Sequence, residues 1–96
     1  MIYCFDLDGT LCETKAGDYG AATPRLDRIH RVRALARAGH TIVVNTARGS
    51  MWHDFTARQL HEWAVPHHVL VCGAKPYADV YVDDRAQNAE AFFGRV

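Results

Sequence analysis

The chain has 96 residues, 49% of them hydrophobic and 23% charged, with a formal net charge of zero. That suits one small domain with a single core. The charge balance argues against bulk electrostatic attraction to nucleic acid or anionic membrane, and no apolar run approaches the roughly 18 residues that a membrane-spanning helix needs.

In chain order, Ile2–Asp6 reads as an apolar first strand that runs into Asp6-Leu7-Asp8-Gly9-Thr10-Leu11. Two carboxylates two residues apart on an extended segment share one face. They repel each other, and more so if buried. A hard divalent cation such as Mg²⁺ relieves that repulsion and prefers carboxylate and phosphate oxygens. One carboxylate of such a pair can attack phosphorus and the other can move protons. Gly9 allows a sharp turn, and Thr10 adds a hydroxyl and an N–H beyond it. Asp-x-Asp also occurs as a helix cap or a solvated turn. Its place at the end of an apolar strand, with Gly-Thr behind it, favours the chemical reading.

Cys12 to Ala22 has no period and reads as a loop or small flap at the site's edge. Thr23-Pro24 reads as a helix start, with an N-cap followed by proline at the first helical position. Leu26, Ile29, Val32, Leu35 and Ala36 then recur at helical spacing up to Gly39. Arg25, Arg28, Arg31 and Arg37 on this helix read as a solvated face. Thr41–Thr46 is a β-branched run that fits a parallel strand buried on both faces. Ser50 offers an N-cap for a helix over Met51–Trp63, with Met51, Phe55, Leu60 and Trp63 inward. Val69–Cys72 suggests a third strand, Gly73–Pro76 a loop, Val80–Val82 a fourth strand ending in Asp83-Asp84, and Arg85–Phe93 a last helix. Cys4 and Cys72 read as core residues. With Cys12 they have no metal-ligand spacing, as expected of reduced thiols in a cytoplasmic protein. The six histidines are scattered and read as structural or surface groups.

Alternating strands and helices imply an α/β domain over residues 1–96, with a mostly parallel sheet of about four strands. In such sheets ligands lie beyond the carboxyl ends of strands. Asp6/Asp8, Thr46, Lys75 and Asp83/Asp84 all fall at or just past those ends.

With these residues in place, the chain resembles the haloacid dehalogenase superfamily of phosphohydrolases. Asp6-Leu7-Asp8-Gly9-Thr10-Leu11 looks like the first family motif, Thr46 the second, Lys75 before Pro76 the third, and Val80-Tyr81-Val82-Asp83-Asp84 the fourth. Asn45-Thr46-Ala47-Arg48-Gly49 and Tyr81–Ala86 are further reminiscent of small phosphatases of capsular polysaccharide synthesis. The resemblance implies a Rossmann-like sheet in the order fourth–first–second–third. It implies that Asp6 is the nucleophile and Asp8 the acid and base. Thr46 and Lys75, with Gly9 and Ala47, would contact phosphate. Asp6, the Asp8 carbonyl, Asp83 and Asp84 would hold Mg²⁺. The segments after Leu11 and between Cys72 and Lys75 are too short for the family's cap domain, so a capless, open site is expected.

The expected activity is therefore hydrolysis of a small phosphorylated metabolite, a sugar phosphate above all. The alternatives are a nucleic-acid end or phosphoprotein as substrate, or a binding module without turnover. Zero net charge disfavours nucleic acid. The missing cap, a bare sheet edge at the fourth strand and Trp52 suggest a homo-oligomer. Crossing from the third strand to beyond the first needs three strand spacings of about 4.8 Å, a tight span for Gly73–Asp79.

Overall fold

The computed structural model describes residues 1–94. Its elements are β1 (Ile2–Phe5), β2 (Cys12–Glu13), β3 (Thr23–Pro24), α1 (Leu26–Arg37), β4 (Thr41–Thr46), α2 (His53–Glu62), β5 (Val69–Cys72) and α3 (Ala89–Phe93), with 3₁₀ turns at Tyr19–Ala21 and Ser50–Trp52. β1, β4 and β5 form a parallel sheet in the order β1-β4-β5. This is the expected order of the first three strands.

Alternation along β4 sets which face is core. Ile42, Val44 and Thr46 are buried, while Thr41, Val43 and Asn45 are only half-buried. Register places Tyr3 and Phe5 of β1 and Leu70 and Cys72 of β5 on the first face. There Phe5, Ile42 and Val44 pack with Ile29 and Val32 of α1, Leu60 of α2, Val65 and Phe93 of α3. The opposite face carries Ile2, 73% exposed, Cys4, Val43, Val69 and Val71, none of them buried. The expectation of a sheet covered on both faces is thus corrected. All three helices contribute to one core, and the chain after β5 forms no covering layer among the described residues. The same arrangement leaves Cys4 exposed and Cys72 only partly buried, against the core positions read from their apolar neighbours.

Two further expectations fail at helix starts. Thr23-Pro24 does not start α1. It pairs antiparallel with Cys12–Glu13, and the Arg25 N–H donates to the Leu11 carbonyl, so the helix begins at Leu26. Proline fits such a two-residue edge ribbon because its missing N–H costs no ladder bond there. The second helix opens as a 3₁₀ turn with three residues per turn rather than 3.6, which turns Met51 out to solvent while Leu60 stays buried. Phe55 is also exposed, and Trp63 is half-buried against the core.

Arg28 overturns the solvated-face reading for that position. It is fully buried, donating from Nη1 to the Thr10 carbonyl at 3.1 Å and from Nη2 to Glu90 Oε1 at 2.7 Å, with Phe93 stacked beside the guanidinium. One side chain of α1 therefore braces the turn after Asp8 and ties α3 to it.

Among the described residues the fourth strand does not form. Val80–Val82 is exposed and irregular, and the last helix is shortened to Ala89–Phe93, capped by Asn88. Leaving the far edge of the sheet, Gly73–Asp79 carries Lys75 to Asp6 at the end of β1, and the chain then continues through Val80–Val82 without pairing to β1.

Candidate active site

The turn after β1 is built on one carbonyl. Leu7 O accepts from the N–H groups of Thr10, Leu11 and Cys12, and Gly9 supplies the left-handed φ of +83° that this reversal needs. Leu7 and Leu11 are buried, so they anchor the turn in the core and leave Asp6 and Asp8 at the strand end. Gly73 does the same for β5. It has φ +82°, and a Cβ there would lie 3.0 Å from the Ser50 nitrogen. The turn sends the chain back toward β1 and delivers Lys75.

Four of the expected residues come together. Lys75 Nζ is 3.0 Å from Asp6 Oδ1, with side-chain exposures of 19% and 36%. The same ammonium lies 4.7 Å from the Tyr81 ring centroid, while the Tyr81 hydroxyl donates to the Pro76 carbonyl. Thr46 ends β4 fully buried, its hydroxyl oxygen accepting from the Arg48 N–H at 3.2 Å. The hydroxyl proton remains available to donate. Gly9 and Ala47 lie exposed at the rim.

Asp8 is the most constrained. Arg48 holds it bidentately, Nε to Oδ2 at 2.9 Å and Nη2 to Oδ1 at 2.7 Å. Thr14 adds a hydroxyl donor to Oδ1 at 2.5 Å, and the Cys12 thiol a weaker one at 3.5 Å. Burial pushes the Cys12 thiol up to about 11, so it stays protonated and able to donate. Partial burial alone would raise the Asp8 carboxyl. The hydrogen bonds from Arg48 and Thr14 and the guanidinium charge outweigh it, and the carboxyl is held below its ordinary value. Arg48 itself is fully buried. Its Nη1 donates to Thr56 Oγ1 and Gln59 Oε1, and its guanidinium lies 4.3 Å from the Tyr19 ring centroid. Gln59 in turn donates to the Tyr19 carbonyl at 2.8 Å, and Trp52 packs edge-on against Tyr19 and Phe55. The segment after Cys12 is thus pinned over Arg48, and Trp52 is engaged within the chain.

Arg48, Thr14, Tyr19, Thr56 and Gln59 were not singled out from sequence for the site. The available signal was Arg48 two residues beyond Thr46, and Thr56 and Gln59 as polar residues on the inward face of α2.

Asp83 and Asp84 do not join this group. Both are exposed, and Asp83 Oδ1 accepts the Arg85 N–H at 2.8 Å. Among the described residues no group of three or more His, Cys, Asp or Glu side chains could hold a metal ion. With Asp6 on Lys75 and Asp8 on Arg48, the donor set as arranged does not fit Mg²⁺, which demands near-octahedral oxygen coordination.

Replacing Arg48 tests the pair that orients Asp8. Arg48→Ala should cost about 3–5 kcal/mol, the range for breaking a buried ion pair. Arg48→Lys should keep charge but lose the fork geometry and recover only part. Because the folded Asp8 carboxyl lies below its unfolded value, this stabilisation is full above the unfolded value and is lost as pH falls through the folded one. Urea denaturation should therefore show a wide gap between wild type and Arg48→Ala near neutrality, closing as the pH falls below the ordinary aspartate value of about 3.9. A gap independent of pH would mean that Arg48 acts through packing alone.

No protein-family model matches the chain, and no curated protein does. Among solved structures, a crystallised target protein from Vibrio cholerae superposes with a TM-score of 0.83 at 29% identity, over 99% of this chain and 89% of its own. A chain of a Pnkp1/Rnl/Hen1 complex superposes at 0.65 with 18% identity, over 99% of this chain and 34% of its own. A chain of the Pnkp1/Rnl/Hen1 RNA repair complex does so at 0.65 with 14% identity, over 96% and 29%. This chain spans about a third of the length of the two complex chains and shares their fold.

Proposed function

We propose that the chain is a phosphomonoester hydrolase of the haloacid dehalogenase type, a capless α/β domain acting through an aspartyl-phosphate on a small phosphorylated metabolite, a sugar phosphate above all. The observation that carries this is the pairing of a half-exposed carboxylate, Asp6, with an ammonium 3.0 Å away, beside a second carboxylate gripped by Arg48. An Asp6 oxygen would bond to phosphorus as the bond to the leaving oxygen breaks. Water would then bond to phosphorus as the bond to Asp6 breaks, releasing inorganic phosphate. Lys75 is placed to offset charge on the phosphoryl oxygens, which is most of what phosphoryl transfer asks of a protein. The Thr46 hydroxyl and the rim at Gly9 and Ala47 would complete the phosphate contacts.

Asp8 carries the proton work, with an asymmetry. A general acid works best with a carboxyl pKa near the operating pH, whereas this one is held down. Asp8 is held in the ionised form that can accept a proton from water, as a weaker base than an ordinary carboxylate, and is poorly suited to donating one. Substrates whose leaving oxygen needs little protonation should therefore react faster. The test is turnover of nitrophenyl phosphate beside a panel of sugar phosphates, with Mg²⁺ supplied. No phosphate release from any of them would leave the non-catalytic binding module as the better reading.

Fold likeness to chains of an RNA repair complex favours one second reading, a phosphorylated nucleic-acid end as substrate. Phosphorylated oligonucleotides in the same panel decide it. Their affinity should fall with salt if phosphates carry the binding.

The free outer edge of β1 and the exposed face bearing Ile2, Cys4 and Val69 support a homo-oligomer in solution, with the interface beside the site. Light scattering at micromolar concentration should give at least twice the chain mass, and an active monomer would remove the idea. Three free thiols support a reducing, cytoplasmic setting. No helix among the described residues is long and apolar enough to cross a membrane.

A further inference from the structure

One open cleft is not lined by Asp6. It lies at the amino-terminal ends of the strands, between the last turns of α1 and α2 and the segment leading into β5, with a volume of about 470 Å³. β4 is six residues long, so at about 3.3 Å per residue the cleft is roughly 20 Å from the carboxyl ends.

Arg33, Arg37, His61 and His67 line it, over an apolar floor that includes Ala36, Val65 and Pro66, and no acidic side chain lines it. Neither arginine has a carboxylate within 4.0 Å among the described ion pairs. Arg33 spends one N–H on the Ala64 carbonyl at 3.2 Å, which braces a residue held at φ 55°, in the left-handed region. His67 Nδ1 lies 3.1 Å from the Val65 carbonyl, a donor's geometry that leaves Nε2 for a ligand. Two helix carboxyl ends meet here, each worth about −0.5 charge. The two guanidiniums exceed that by about one full charge, so compensating the helix ends does not account for them.

We infer that this cleft is a second anion site, separate from the proposed catalytic centre, for a nucleoside phosphate. Guanidiniums match phosphate oxygens bidentately. The floor offers apolar contact to a flat base, and the volume falls in the range of small-molecule sites, about 300–1,000 Å³.

The test is titration of the full chain with ADP, pyrophosphate and adenosine, read by calorimetry and by the imidazole NMR signals. ADP should bind and move the His61 and His67 signals. Pyrophosphate should bind at least tenfold more weakly, and adenosine should not bind measurably. Arg37→Gln, at an exposed position with no ion pair, should weaken ADP at least tenfold without unfolding the chain. Lys75→Ala, at the proposed catalytic centre, should leave ADP affinity within twofold. Unmoved imidazole signals at millimolar ADP, an unchanged affinity in Arg37→Gln, or a loss of affinity in Lys75→Ala would each overturn the site. Equal binding of ADP and pyrophosphate would overturn the nucleoside assignment.

Discussion

Asp6→Asn is expected to lose turnover of nitrophenyl phosphate by at least about four orders of magnitude, the scale on which removal of a covalent nucleophile acts. The amide keeps the shape of the carboxylate but cannot displace the leaving group, so no phosphoenzyme should form. Stability should barely change. The pair lost, Asp6 with Lys75, is partly solvent-exposed, and such pairs contribute about 0–1 kcal/mol. Asp8→Asn should behave differently in both respects. Its nucleophile is intact, and nitrophenolate leaves without much proton help, so the first transfer proceeds and the second, which needs water deprotonated, stalls. Quenched intact-mass spectrometry should show an added phosphoryl group on Asp8→Asn and none on Asp6→Asn. The structure adds a control. Asp8→Asn leaves the buried Arg48 guanidinium without its counter-charge, so this variant should be several kcal/mol less stable, and its fold must be verified by circular dichroism before the mass is read. Near-normal turnover in Asp6→Asn would move the nucleophile to water or another residue and end the central assignment.

What could be read from sequence follows the range of the interactions. β1, β4 and β5 and the bulk of α1 and α2 rest on local apolar periodicity, and they stand, as does the order of these three strands, which the resemblance implied. Asp6 and Lys75, 69 residues apart, meet because each sits past the end of a parallel strand, and ends of parallel strands converge whatever lies between. Most of the failures are cases where a partner elsewhere in the chain decides. Arg28 looks like any surface arginine on a helix until Glu90, 62 positions on, comes alongside it. Arg48 is buried because Asp8 arrives from the turn after β1 and Thr56 and Gln59 from α2. Thr23-Pro24 has a helix-start composition, but the Leu11 carbonyl takes the Arg25 N–H first. Val80–Val82 has strand composition and no strand, because composition says nothing about whether the preceding connection can reach an edge. Cys4 and Val69 sit in apolar runs and lie exposed for the same reason: a parallel strand is buried on both faces only when chain is available to cover both.

Excess chelator should abolish turnover and Mg²⁺ restore it, and the argument is one of charge as well as ligand chemistry. Asp6 and Asp8 are matched by Lys75 and Arg48, so these four side chains together are close to neutral. A phosphate monoester near pH 7 brings about −1.5 to −2 charges, and no further cation of this chain faces the group among its described ion pairs. A divalent ion would bring the total back near zero. Asp83 is the carboxylate free to join, being exposed and tethered eight residues beyond Lys75, a contour of roughly 26 Å. The outer edge of β1 is unpaired among the described residues. Pro76–Asp79 spans about 13 Å when extended, the same as the four residues of β1, so the segment can run back along β1 and Val80–Val82 would then lie parallel to it. That course ends with Asp83 beside Asp6. Hydrogen exchange should accordingly show the amides of residues 80–84 open in chelator and protected at least tenfold with Mg²⁺ and phosphate. Full activity in excess chelator would leave Lys75 and Arg48 as the whole of the charge compensation and remove the metal from the proposal. Activity that requires Mg²⁺ while residues 80–84 stay unprotected would keep the metal and remove the strand, leaving Asp83 to reach the site as a loop.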